Sequence, residues 1–227
     1  MLMKGYFAVI MIFLTQSLWG QNNMYTKKSD SDPKAKVILD KLKKSLDSYS
    51  SVEMKFTLTL EFPKKTPEVQ KGNLIQSGKK FLVKMDQQDV YCDGQSTWIH
   101  FKKNKQVQVT DFDESGSGGF LSPKQLLNMY QTGKFVYSIT EERTEKGVAV
   151  TDIEFKPLDA KSEFSKMRLT VNKTANKVIS LRVFSKDGSR YILFLDSIVP
   201  NQKYDPSTFV FNAKAFPGVR VEDLRID

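Results

Sequence analysis

The chain is short of the side chains that carry most protein chemistry: 227 residues hold one histidine, His100, and one cysteine, Cys92. A lone thiol cannot close an internal disulfide, so in an oxidising compartment the fold must be held by packing. Cys92 reads as a small buried strand residue. His100 lies inside the run Thr97-Trp98-Ile99-His100-Phe101 with no second His or Cys beside it, and reads as a structural strand residue rather than a metal ligand or proton donor. Neither a G-x-S-x-G elbow nor a P-loop occurs. Asp111, Asp113, Ser115 and Gly116 open like a calcium loop, but the twelfth position is Ser122 where a bidentate Glu is needed. The sequence thus offers no machinery for an enzyme and no site for a cofactor.

Long apolar runs are lacking too. The run Tyr6 to Leu14 is well short of the roughly 20 residues that a spanning helix needs. It follows a basic start, Met1 to Lys4, and precedes the small and polar stretch Gln16 to Gly20, which is the pattern of a signal peptide over residues 1–20. With no Cys near the cut site, a soluble protein outside the cytoplasm is expected. Residues 21–31 then form a flexible N-terminal segment and residues 32–227 a single domain.

Apolar and basic residues are plentiful. There are 16 Phe and 8 Met, and Lys+Arg exceed Asp+Glu by 35 to 26. The positive balance favours acidic partners or anionic lipid headgroups. The lysines are scattered and form no aromatic and basic ribbon, which argues against nucleic acid.

Asp32 followed by Pro33 is a helix start, and Ala35, Ile38, Leu42, Leu46 and Tyr49 share one stripe, so a helix is predicted over 32–49. Val52, Met54, Phe56, Leu58, Leu60 and Phe62 then alternate with polar residues, a strand with one dry face. Further strands are predicted around 69–76, 81–85, 89–92, 96–101, 106–112, 135–141, 148–155, 166–171, 178–185, 190–198 and 209–211, separated by turn signals such as Asp93-Gly94, Lys146-Gly147 and Asp187-Gly188. This is a long meander, interrupted between Asp113 and Gly133. There a Ser/Gly tether at 115–119 leads into a short helix begun by Ser122-Pro123 and bearing Leu126, Leu127, Met129 and Tyr130, suited to a mobile lid or to a fixed plug.

The order of these pieces resembles the LolA outer-membrane lipoprotein carrier family. The resemblance rests on the Ser51 to Thr57 strand, Gly72-Asn73-Leu74, the hairpin Val90 to Trp98 with its Asp93-Gly94, Leu121-Ser122-Pro123, and Phe209-Val210-Phe211 followed by Pro217-Gly218-Val219. It implies a mainly β fold with a few helices: an incomplete antiparallel β-barrel of about eleven strands, covered by lid helices around an apolar cavity. It further implies a periplasmic, monomeric carrier of acylated lipoproteins. Such a carrier receives them from an inner-membrane ABC-type releasing complex and delivers them to an outer-membrane acceptor or to the outer membrane itself. A glycolipid carrier or an envelope-stress sensor of the same architecture is the alternative. The residues expected to meet the acyl chain are Phe56, Leu58, Trp98, Leu126, Leu127, Met129, Phe155, Leu169 and Leu181. One departure stands out: where the family carries an Arg-Pro pair that ties the sheet to the lid, this chain reads Gln76-Ser77-Gly78-Lys79-Lys80-Phe81, and Lys lacks the planar fork of Arg.

Overall fold

A computed structural model describes residues 27–112 and 128–225, without the side chain of Met129. The expected leader, the Ser/Gly tether and the positions Leu126 and Leu127 lie outside the described residues.

Asp32 and Pro33 start the helix as their chemistry requires. The Asp32 carboxylate accepts the Lys34 N–H at 2.7 Å, Pro33 takes the first helical position, and α1 runs Pro33–Asp47. The other Asp32 oxygen accepts the Ile139 N–H at 3.3 Å, and the Asp32 N–H donates to the Tyr137 carbonyl at 2.8 Å. The start of α1 is therefore fastened to the strand that carries both residues. The buried stripe is wider than its spacing suggests, because Leu39 is fully buried beside Ala35, Ile38 and Leu42.

Twelve strands follow among the described residues. The first six are β1 (Val52–Glu61), β2 (Glu68–Ser77), β3 (Lys80–Met85), β4 (Gln88–Cys92), β5 (Ser96–Phe101) and β6 (Gln106–Asp111). The rest are β7 (Phe135–Glu145), β8 (Val148–Pro157), β9 (Phe164–Asn172), β10 (Lys177–Ser185), β11 (Arg190–Pro200) and β12 (Arg220–Asp223). All belong to one open, curved sheet in the order β12-β6-β5-β4-β3-β2-β1-β11-β10-β9-β8-β7. The expected single meander is in fact two, β1–β6 and β7–β11, joined where β1 pairs antiparallel with β11. The connection from β6 to β7 consequently links opposite halves of the sheet.

The C-terminal part differs from expectation. Phe209 to Phe211 is not a strand: Asp205 accepts the Ser207 N–H, Pro206 cannot donate to a ladder, and a 3-10 turn forms over Pro206–Phe209. The last strand is β12, which pairs parallel with β6. Four residues reading Arg-Val-Glu-Asp carry too little pattern to announce a strand, and their partner is remote in sequence.

Cross-strand register sorts the two faces of the sheet. Ile198, Met54, Leu74, Val83, Val90 and Ile99 succeed one another from β11 to β5 on the inner face, while Glu53, Ile75, Leu82, Tyr91, Trp98 and Val109 succeed one another on the outer face. Phe209 and Phe211 are buried against the outer face over β3–β6, with Tyr204, Phe216 and Val219 beside them. The inner face carries two separate packed clusters. One joins α1 to β7–β10, and the other spans β1–β4 around Met54, Phe56 and Val83. Gly72 leaves room for the second: a Cβ there would stand 2.2 Å from the Phe56 Cζ.

Candidate functional site

Leu46 packs against both inner clusters, yet the space between them is unfilled. The reason is one of area. A helix of 15 residues is about 22 Å long, whereas twelve strands spaced by about 4.8 Å make a face roughly 50 Å across if laid flat. One helix cannot cover it.

The resulting cavity holds about 170 Å³ and is walled by Leu39, Leu42 and Leu46 of α1, Met54 of β1, Phe155 of β8, Met167 and Leu169 of β9, Val178 and Leu181 of β10, and Leu193, Leu195 and Ile198 of β11. Its polar contributors are Ser45, Tyr49, Asn176 and Lys177. Asn176 donates to the Lys41 carbonyl at 3.3 Å, which ties the β9–β10 turn to α1, and the Ser45 and Tyr49 hydroxyls stand 3.3 Å apart. Tyr130 contributes its ring to the wall, and its hydroxyl donates to Asp40 Oδ1 at 2.7 Å. Burial, then the Asp40 carboxylate, pushes the Tyr130 hydroxyl pKa up, while the Lys36 ammonium and then Tyr130 hold the Asp40 carboxyl below its ordinary value. The Tyr130–Asp40 bond fastens the 3-10 turn Met129–Gln131 to α1. Around Lys79 and Lys80, where the family Arg is expected, the chain forms the β2–β3 hairpin turn with Gly78 at φ +59°.

An apolar space of this size is comparable with an engineered cavity of about 150 Å³ that stays dry and admits benzene, and is smaller than the roughly 300 Å³ at which ligand pockets begin. It has room for part of an acyl chain, so admitting a whole one requires α1 and the sheet to part. A second hollow, of about 770 Å³, lies beside the β10–β11 turn, but the charged Glu163, Lys186 and Asp187 in its lining do not suit an acyl chain. Among the described residues no three His, Cys, Asp or Glu side chains gather in a way that could hold a metal ion.

A model of the family described as outer membrane lipoprotein carrier protein LolA matches residues 47–212 of the 227. The chain belongs to the LolA family. No curated protein sequence matches it. Among solved structures, an uncharacterized conserved protein from Thermus thermophilus has the same fold: TM-score 0.55 at 10% identity, covering 84% of this chain and 99% of that one. A LolA superfamily protein from Nitrosomonas europaea gives TM-score 0.40 at 12% identity over 78% and 97% of the two chains. LprF from Mycobacterium bovis gives 0.43 at 12% over 78% and 98%.

In this LolA-family chain, three of the residues singled out from the sequence, Phe155, Leu169 and Leu181, stand together in the cavity wall. Phe56 and Leu58 are on the same inner face, packed in the β1–β4 cluster, with the Phe56 ring over Gly72. Trp98 is on the opposite face, with Leu82, Tyr91 and Val109 under the C-terminal tail, because it shares its strand phase with His100 rather than with Ile99. The wall residues that the sequence reading missed include Leu195 and Ile198, which face the same side although three residues apart. A register shift opposite Lys55/Phe56 resets the alternation there, and no pattern within β11 announces it.

Proposed function

We propose that this protein is a periplasmic carrier that shelters lipoprotein acyl chains between α1 and the sheet and shuttles them from the inner to the outer membrane. The observation that carries the reading is the apolar gap left between two packed clusters. A well-packed core resists volume change, whereas a gap already framed by a helix and five strands can widen by moving the helix alone. In this reading Phe155, Leu169 and Leu181 touch the chain. The donor is an ABC-type complex in the inner membrane, and the recipient is an outer-membrane acceptor or the membrane itself.

Energetics support direct handover. Each methylene removed from water contributes about 0.8 kcal/mol, so a chain of about fifteen carbons is held by roughly 10 kcal/mol before ordering costs, and escape into water is slow. Native mass spectrometry of the protein purified from its own cell envelope tests the reading. Acylated polypeptide bound one to one is expected; a bound free glycolipid would assign the cavity to another cargo, and an invariably empty protein would refute the reading.

A further inference from the structure

The C-terminal tail covers the outer face over β3–β6, and among the described residues no tail or helix packs on the outer face of β8–β11. Register assembles an unusual surface on that half. Arg168 of β9 stands directly opposite Arg182 of β10, and Lys166 stands opposite Phe184. The Phe184 ring gathers three cations: Lys166 Nζ is 5.1 Å from its centroid, Arg190 Cζ 5.9 Å and Arg168 Cζ 6.0 Å.

The carboxylates at hand are fewer. Glu154 meets Lys166 at 2.9 Å and Arg168 at 3.1 Å, and Glu61 meets Arg190 at 3.8 Å. Arg182 makes no ion pair among the described residues, and its Nε is buried without a partner. Asp196, which accepts the Thr57 hydroxyl at 2.9 Å beside Phe194, is a third carboxylate on this face, so four cations against three carboxylates leave 4 − 3 = +1 among these groups. Like charges set opposite one another across a ladder cost stability, and of the two facing arginines only Arg168 has a carboxylate partner, Glu154. Apolar side chains share the face. Phe194, 42% exposed, lies between the wall residues Leu193 and Leu195 and so points outward, and Val69, 60% exposed, follows Ile192 and Thr59 across the ladder.

We propose that the outer face of β8–β11 is a docking surface for an anionic phospholipid membrane. Arg168, Arg182, Arg190 and Lys166 meet headgroup phosphates, and Phe194 enters the headgroup layer. Guanidinium forks match phosphate oxygens in pairs, and cations flanking an exposed aromatic suit the boundary between headgroups and acyl chains. The excess positive charge of the whole chain, +9, attracts it to such a surface from a distance. The proposal extends the carrier reading without depending on the cavity: the surface would bring the protein to its membranes whatever it carries.

The test is co-sedimentation of cargo-free protein with vesicles of phosphatidylethanolamine and phosphatidylglycerol, against vesicles of phosphatidylcholine alone. Binding is expected to the anionic vesicles only and to weaken steeply as salt rises from about 0.05 to 0.5 M. The pair Arg182→Ser and Arg190→Ser should lower partitioning roughly twenty- to thirtyfold, while the pair Lys44→Ser and Lys103→Ser, which removes the same charge elsewhere, should lower it less than about threefold. Circular dichroism and melting confirm that each variant is folded. Equal losses for the two pairs would reduce the effect to net charge and overturn the proposal, as would indifference to lipid charge or absence of binding. Retention on immobilised polyglutamate with no vesicle binding would give the face to an acidic protein and overturn it equally.

Discussion

Filling the cavity should stabilise the empty protein and abolish acyl binding together. Leu181 of β10 and Leu195 of β11 both face the space, so Leu181→Phe with Leu195→Phe places about six extra carbons in it. At roughly 24 cal/mol per Å³, an unfilled 170 Å³ forgoes about 4 kcal/mol, which bounds what filling can recover. The added carbons contribute about 5 kcal/mol in the ideal case, and forcing new rings among existing walls takes back about 1–3 kcal/mol. A net gain of about 2–4 kcal/mol raises the melting temperature by roughly 4–16 °C for a domain of this size. Calorimetry of the cargo-free double variant measures that gain, and titration with a fluorescent palmitoyl probe measures the binding, which should fall at least tenfold. A variant destabilised by more than about 1 kcal/mol would mean that the space is already packed. One that binds the probe as the parent does would mean that acyl chains lie elsewhere.

Three further outcomes follow from the packing. Gly72→Ala drives a methyl group into the Phe56 ring and should cost about 1–3 kcal/mol in urea denaturation, while Gly72→Ala with Phe56→Leu should recover most of it; an unrecovered loss would trace the glycine to backbone conformation instead. Burial holds His100 below its ordinary value of 6.5, against the opposing pull of Asp89 and with Lys102 acting in the same sense as burial. The folded protein thus resists a proton that the unfolded chain accepts, so stability declines as pH falls below about 6.5, and His100→Phe, which keeps the packing on Phe211 and Phe216, should flatten that decline. Tyr130→Phe removes a hydrogen bond to a carboxylate that is 43% exposed, and should cost about 1 kcal/mol near neutrality. Because Lys36 and Tyr130 depress the Asp40 pKa, that deficit is present above the ordinary carboxylate range and vanishes as pH falls well below 3.8.

Strand alternation and turn chemistry made most of the sheet readable in advance, since Val52 to Phe62 and turns such as Lys146-Gly147 declare phase and reversal locally. What local pattern could not carry was pairing at a distance. The β1–β11 junction that turns two meanders into one sheet, and the parallel addition of β12 to β6, depend on residues far apart in the chain. The cavity was legible to the same degree. Leu169 and Leu181 alternate cleanly and face inward, Trp98 alternates just as cleanly on the outer face, and nothing in a period of two says which face is which. Phe209 and Phe211 have the look of a strand, but Asp205-Pro206 upstream turns the chain, and both rings serve as a cap on the outer face.

The most direct test of the central claim is photo-crosslinking with a lipopeptide whose palmitoyl chain bears a diazirine near its end, followed by mapping of the labelled peptides. Labels concentrated on the strands that wall the cavity, at Met167 to Leu169, Leu181 and Leu193 to Leu195, with protection by unlabelled lipopeptide, are the predicted result. Labels spread over the outer face, or confined to the C-terminal tail around Phe209 and Phe216, would contradict it.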